Sequence, residues 1–302
     1  MKVRIGGRGS PLSRAQLEIV ASLLRPAADV EVVTFTTTGD RVSRGESAST
    51  GKDLFTREID EALLGGEMDL AVHSLKDLPS RLPPGLTIAA VPLREDPSDV
   101  LVSGDGRRLA DLPAGSRFGS SSPRRRAQLL AARPDLLVTD ARGNVDTRLR
   151  RLAEGRWDAI VLARAGLARL GRLTEVTEVL PASVMLPAIG QGALAVVARE
   201  GSAELDRLAA TVDHVPSHRE ATAERALLEL LEAGCRAPVA GLARHRGGRI
   251  HLAAAAFSPD GSEAVRAEAE GEEGEPAALG REVARRLLDL GAAELLDRAR
   301  NP

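Results

Sequence analysis

Short apolar runs that alternate with amphipathic stretches predict an α/β fold with mixed, largely parallel sheets over the first two-thirds of this 302-residue chain. A second observation points to two such domains. Ser10-Pro-Leu-Ser-Arg-Ala-Gln-Leu17 and Ser122-Pro-Arg-Arg-Arg-Ala-Gln-Leu129 share the pattern S-P-x-x-R-A-Q-L, each after a short strand and at the start of a helix. A third is the change of character after about Pro216, where one helix, two strands and a closing helix read as a smaller C-terminal α+β unit.

Taken in order, Val3–Ile5 and Glu31–Thr36 read as strands on either side of a helix from about Leu12 to Leu24. Asp53–Leu64 reads as a helix and Met68–Leu75 as a strand that ends in a polar turn. Leu86–Val91, Arg117–Gly119, Leu136–Val138 and Asp158–Leu162 supply further strands, with helices near Arg124–Ala132 and Val145–Glu154. The last third gives a helix at Glu220–Leu231, strands at Arg249–Phe257 and Ala264–Glu270, and a helix at Glu275–Leu290. The acidic patch Glu268–Glu275 fits a solvated hairpin edge or loop.

Composition excludes several functions. Four Phe, one Trp and no Tyr leave no stacking platform for single-stranded nucleic acid. A net charge of −2 gives no general attraction to nucleic acid or anionic membrane. No secretory leader or membrane-length apolar run is visible, so a soluble cytoplasmic protein is expected. Metal is not expected, because no His/Cys/Asp spacing suggests a ligand set.

Charge is unevenly spread. Arg117–Arg172 holds thirteen arginines, no lysine and five acids, a net of +8 in a chain whose total is −2. Arginine-for-lysine bias, with only Lys2, Lys52 and Lys76 as lysines, does not explain why acids thin out there. Planar guanidinium groups match carboxylate or phosphate two bonds at a time, so the natural partner is a polyanion. Both S-P-x-x-R-A-Q-L segments reinforce this reading: serine is a favoured N-cap, proline suits the first helical turn, and a helix start attracts anions. Arg8 precedes one cap, while Arg124 and Arg125 follow the other, so the two domains are expected to face each other across a cleft.

Two further segments carry chemistry. Cys235 is the only cysteine, set in Glu232-Ala-Gly-Cys-Arg-Ala-Pro238 after a helical run. It can form no internal disulfide or thiolate cage, which leaves a nucleophile, a covalent attachment point or inert filler. Its polar turn favours the attachment point. His73-Ser-Leu-Lys-Asp77 lies where a strand ends, and carboxyl ends of strands point into the ligand crevice of open α/β sheets. Asp77 beside many arginines stays ionised and suits stabilising a developing cation, whereas His73, inside the apolar strand, reads as structural.

His73-Ser-Leu-Lys-Asp-Leu-Pro79, Ser121-Ser-Pro-Arg-Arg125, Arg142-Gly-Asn-Val145, Ala165-Gly-Leu-Ala-Arg-Leu-Gly171, Leu186-Pro-Ala-Ile-Gly-Gln-Gly192 and Gly234-Cys-Arg-Ala-Pro238 together resemble the porphobilinogen deaminase (hydroxymethylbilane synthase) family, end to end. The resemblance implies a transferase that joins four porphobilinogen molecules head to tail with loss of ammonia and releases hydroxymethylbilane for haem-type tetrapyrrole biosynthesis. It implies a dipyrromethane cofactor in thioether linkage to Cys235. Asp77 would be the catalytic residue, stabilising an azafulvene-like cation. Arg8, Ser10, Lys52, Lys76, Ser120, Ser122, Arg124, Arg125, Arg142, Arg148, Arg169 and Gln191 would bind cofactor or substrate. The fold implied has two domains like the halves of periplasmic ligand-binding proteins: 1–94 with 193–213, and 95–192. A third domain, 214–302, would carry the thiol, in a cytoplasmic monomer with no nucleic-acid or membrane partner.

Departures from the family's pattern are few. Asp53 stands at a glycine position of the Gly51–Phe55 loop, Ser120 where threonine is common, Pro123 where an aliphatic residue is common, and Ala233 where glycine often stands. Arginines outside the motifs, such as Arg133 and Arg156, are expected to be solvated surface charges. A non-catalytic carboxylate-binding protein on the same two-lobed fold is the alternative, but it leaves Cys235 and Asp77 without purpose.

Overall fold

The computed structural model describes residues 1–39, 56–234 and 237–300. They form two compact units, Met1–Glu95 with Gly192–His218, and Asp96–Gln191 with Arg219–Pro302. The first stretch of chain supplies β1 (Lys2–Arg8), α1 (Pro11–Leu24), β2 (Asp29–Phe35), α2 (Arg57–Leu64), β3 (Leu70–Ser74) and β4 (Leu86–Ala90). Next come β5 (Asp99–Ser103), β6 (Arg117–Gly119), α3 (Pro123–Ala132), β7 (Leu137–Thr139), α4 (Val145–Ala153), β8 (Ala159–Ala163), α5 (Arg164–Arg169) and β9 (Glu178–Val179). The remainder is β10 (Leu194–Arg199), α6 (Ala203–Ala210), α7 (Val215–Leu230), β11 (Val239–Arg246), β12 (Arg249–Phe257), β13 (Ala264–Glu272), α8 (Pro276–Asp289) and α9 (Ala292–Arg300). Among the described residues no helix is long and apolar enough to cross a membrane.

The internal echo in the sequence is an echo of topology. The first unit's sheet runs β2-β1-β3-β10-β4 and the larger sheet of the second runs β7-β6-β8-β5-β9. β1 is parallel to β2 and β3, just as β6 is parallel to β7 and β8. The last two pairings in each order are antiparallel, through β10 in one sheet and β5 in the other. The sheets are therefore mixed, and the parallel pairs sit where the sequence shows its βαβ rhythm. Both S-P-x-x-R-A-Q-L helices, α1 and α3, follow the strand in second position.

Each sheet is buried by side chains that alternate across it. In the second unit Leu101, Phe118 and Val161 meet Leu129 of α3, while Val100, Ile160 and Leu162 meet Leu149 and Leu152 of α4. In the first unit Val3, Ile5, Val72 and Val196 pack with Leu17 of α1 and Leu208 of α6. The C-terminal sheet, β11-β12-β13, is antiparallel. Ile250 and Leu252 on one face pack on Leu227 of α7 and Val283 of α8, while Ala255 and Phe257 on the other meet Ala127 of α3. The β12–β13 turn lies flush on α3: Gly261 has φ +77, and a Cβ there would sit 2.1 Å from the Ala127 carbonyl oxygen. The acidic patch falls mainly on β13, an edge strand with alternating exposure.

Helix α7 starts at Val215, five residues before the expected Glu220. Pro216 does not end it, because the second helical position needs no N–H for a helical bond. His214 instead caps the start, its Nδ1 accepting the Ser217 N–H at 3.3 Å. The expected helix Asp53–Leu64 is described from Arg57, with residues 53–55 outside the described set.

Candidate active site

In the first unit, parallel strands β1 and β3 bring their carboxyl ends to one edge, with Ile5 beside Leu70 and Gly6 beside Ala71. Arg8 ends β1 half-buried, and Ser10 caps α1, its Oγ accepting the Ser13 N–H at 3.3 Å. β3 runs into a 3-10 turn, Leu75–Asp77, anchored by buried Leu75, whose N–H donates to Ala193 O at 3.0 Å. That anchor leaves Lys76 half-buried and Asp77 exposed, with no described residue engaging the Asp77 carboxylate. His73 is buried in the strand, and its pKa falls to about 4 because burial and then the charge of Arg8 disfavour the imidazolium. A histidine kept neutral in the core is structural, as expected.

The second unit repeats the geometry with cationic side chains. β6, β7 and β8 are parallel, so the segments that follow them share one edge. After β6, Ser122 caps α3 by accepting the Arg125 N–H at 3.4 Å, and Ser120, buried, accepts the Ser122 N–H at 3.3 Å. After β7 comes exposed Arg142, then Gly143 at φ +111, a backbone angle open to glycine, then Asn144, which caps α4 through Thr147 N–H at 2.9 Å. Arg148 lies on α4, and Arg169 ends α5 after β8; both are half-buried. The structure thus brings Ser122, Arg142, Arg148 and Arg169 to one strand edge.

Arg124 and Arg125 reach the same edge but turn inward. Only 4% and 7% exposed, they meet Asp99, which opens β5 and is fully buried. Burial pushes the Asp99 carboxyl up, but Arg124 and Arg125 outweigh it and bring the pKa to about 2. Gln191 is also buried and donates Nε2 to Asp99 Oδ1 at 3.0 Å and to Pro97 O at 2.7 Å. The sequence reading missed Asp99. It also missed Gln128, which exchanges hydrogen bonds with Leu186 at 2.8 and 3.0 Å, and Glu224, which accepts the N–H groups of Gly190 and Ala243 at 2.6 and 2.8 Å. The repeated Gln of S-P-x-x-R-A-Q-L was the available signal for Gln128.

Arg133 is not the solvated charge expected. Its Nη1 donates to Leu109 O at 2.6 Å and its Nη2 to Leu112 O at 2.7 Å, with Asp135 on the same guanidinium. Arg156 is exposed and lies 5.8 Å from the centre of the Trp157 ring. Lys52 and Cys235 lie outside the described residues. Among the described residues no cluster of three metal-ligating groups occurs.

In the second unit, a strand edge rich in guanidinium groups beside a capped helix start defines a class of protein built to handle a carboxylate-rich ligand. The family described as porphobilinogen deaminase, dipyromethane cofactor binding domain, matches residues 3–207, and its C-terminal domain matches 218–289. Porphobilinogen deaminase of Desulforudis audaxviator is 50% identical over 99% of this chain and 98% of its own length. That of Rubrobacter xylanophilus is 50% identical over 97% and 95%, and that of Thermus thermophilus 46% identical over 99% of each. Among solved structures, the periplasmic VFT2 domain of BvgS from Bordetella pertussis overlaps 70% of this chain and 86% of its own at 19% identity and a TM-score of 0.41. The chain belongs to the porphobilinogen deaminase family, transferases of tetrapyrrole biosynthesis with a dipyrromethane cofactor.

Proposed function

We propose that this chain performs the family's head-to-tail condensation of porphobilinogen with Asp77 as its catalytic carboxylate, and that Cys235 is the attachment point of the dipyrromethane. The observation that carries this reading is the division of charge: Asp77 exposed and disengaged at one strand edge, and a run of cationic side chains at the other. Each pyrrole unit carries an acetate and a propionate, so the donor set fits the group. Among the described residues Arg124 Nε is buried without a hydrogen-bond partner, an orphaned donor beside the edge where carboxylates would bind. When bound, the dipyrromethane supplies the pyrrole carbon to which substrate units add.

Ser122, Arg142, Arg148 and Arg169 would hold carboxylates by charge-assisted hydrogen bonds, with Arg8, Ser10 and Lys76 doing the same in the first unit. Asp77 would stabilise positive charge that develops as ammonia leaves, and would take part in proton transfer at the pyrrole nitrogen. Lys52, Ser120, Arg124, Arg125 and Gln191 complete the proposed set. For Ser120 and Gln191 the proposed part is to shape the edge, since both are buried and bonded to protein.

We further propose three domains, with 95–192 and 214–302 as distinct parts of the second compact unit, and a cytoplasmic monomer. One chain supplies both strand edges, and the substrate is a small water-soluble diacid. Intact-protein mass spectrometry after incubation with porphobilinogen tests the whole reading. The expected result is a stable dipyrromethane increment on Cys235, with further increments of one pyrrole each during turnover. An unmodified chain with no such series would sink it.

A further inference from the structure

The helices that follow β6, β7 and β8 do not start alike. α3 and α5 have no acid in the first turn, whereas α4 has Asp146 there, between Arg142 and Arg148 in the sequence. A helix start attracts anions through its unpaired N–H groups and its dipole, and an acid in its own first turn takes up that attraction and repels other carboxylates. Asp146 therefore opposes the part proposed for Arg142 and Arg148.

Arg172 meets this acid. α5 ends in a turn where Gly171, at φ +68, donates its N–H to Ala168 O at 3.0 Å and Arg172 donates its own to Leu167 O at 2.8 Å, the pair of helix-ending bonds that a left-handed glycine allows. The backbone of Arg172 is thereby fixed just beyond Arg169. From there Nε donates to Glu175 Oε1, which steers the guanidinium, and Nη1 donates to Asp146 Oδ1 at 2.8 Å. All three side chains are half-buried.

An ion pair this open to solvent adds little to stability, so bracing the fold is a poor reason for it. We infer that Arg172 is a positioning residue that engages the Asp146 carboxylate and so keeps the start of α4 receptive to ligand carboxylates. This rests on the proposed function, in which Arg142 and Arg148 hold those carboxylates. Bracing and masking differ in what they expect of substitutions. If the pair braces two segments, removing either partner breaks the same bond and does the same harm. If Arg172 masks Asp146, only loss of Arg172 uncovers an acid, and removing Asp146 as well leaves nothing to mask.

The test compares the full chain with R172M, D146A and R172M/D146A in porphobilinogen consumption at low salt, with KM, kcat per loaded chain and the thermal unfolding midpoint read for each. R172M is expected to raise KM about fivefold and keep kcat within about twofold, and about 0.5 M KCl should close most of its gap to the parent, because salt screens exposed charge. D146A should have a KM no higher than the parent's, and the double variant should return to within about twofold of it. An R172M with parental KM or with a gap that salt leaves unchanged overturns the inference. So does a D146A as impaired as R172M, a double variant no better than R172M, or an R172M that does not fold. If the parent does not consume porphobilinogen, the proposed function fails separately, and the affinity of the four chains for citrate, read by calorimetry, decides. R172M weakest with the double variant restored then supports the inference, and any other order, or no binding, refutes it.

Discussion

Asp99 grips Arg125 through one oxygen, with Nη2 at 2.7 Å and Nε at 3.0 Å from the same Oδ1, which leaves Oδ2 to Arg124. Removing one member of such a buried set leaves uncompensated charge, so Asp99→Ala is expected to cost roughly 3–5 kcal/mol in urea unfolding at pH 7. The Asp99 pKa is lowered from 3.8 to about 2, so its contribution is complete above the unfolded value near 4 and fades as pH falls toward 2. A variant that unfolds like the parent would show that the arginines do not depend on this carboxylate.

His73 adds acid sensitivity at higher pH. Its pKa drops from 6.5 to about 4 on folding, so between those values the unfolded chain binds the extra proton and stability falls as pH falls. That corresponds to about 3 kcal/mol across the window, at about 1.4 kcal/mol per unit. His73→Gln should flatten the unfolding free energy between pH 6.5 and 4, whatever its effect at pH 7. A slope unchanged in that variant would move the effect to another group.

The sequence revealed what is periodic or repeated: β1, α1, β3, α3, α4 and both serine caps, because capping is local chemistry. It concealed β5, β10 and β11. Leu194–Arg199 is buried at nearly every position, so no alternation marks it as a strand, and β5 is similar. The edge location of Ser122, Arg142, Arg148 and Arg169 follows from parallel strands and was legible. Arg125 looked the same in sequence as Arg142. Only packing reveals that one faces Asp99 and the other is exposed, and that Arg133 closes on Leu109 and Leu112.

Cys235→Ala is expected to give a folded chain of unmodified mass and no turnover. Mass spectrometry before and after incubation with porphobilinogen, beside circular dichroism, reads both properties. Normal turnover in this variant excludes Cys235 as the attachment point.

Asp77→Ala should keep the attached cofactor and lose most of kcat. A preorganised charge at a reacting centre is worth roughly 3 kcal/mol, or about a hundredfold in rate. Exposed and disengaged, Asp77 contributes little to the fold, so the unfolding midpoint should stay near that of the parent. A variant with normal kcat and only a raised KM would assign Asp77 to binding.

The arginines of the 117–172 segment should separate into three behaviours under substitution by Leu. Arg142 and Arg169, at the strand edge, are expected to stall elongation at a definite pyrrole count, and for exposed Arg142 the unfolding midpoint should be little changed. Arg133 should behave in the opposite way: losing hydrogen bonds from a charged donor to Leu109 and Leu112 costs roughly 1–3 kcal/mol of stability, with the pattern of bound intermediates unaltered. Arg156, exposed over Trp157, should lose at most about 1 kcal/mol and no activity. Intact mass of enzyme-bound intermediates gives one axis and thermal unfolding the other. Equal mild effects for all four on the intermediate ladder would mean that the segment is only a basic surface.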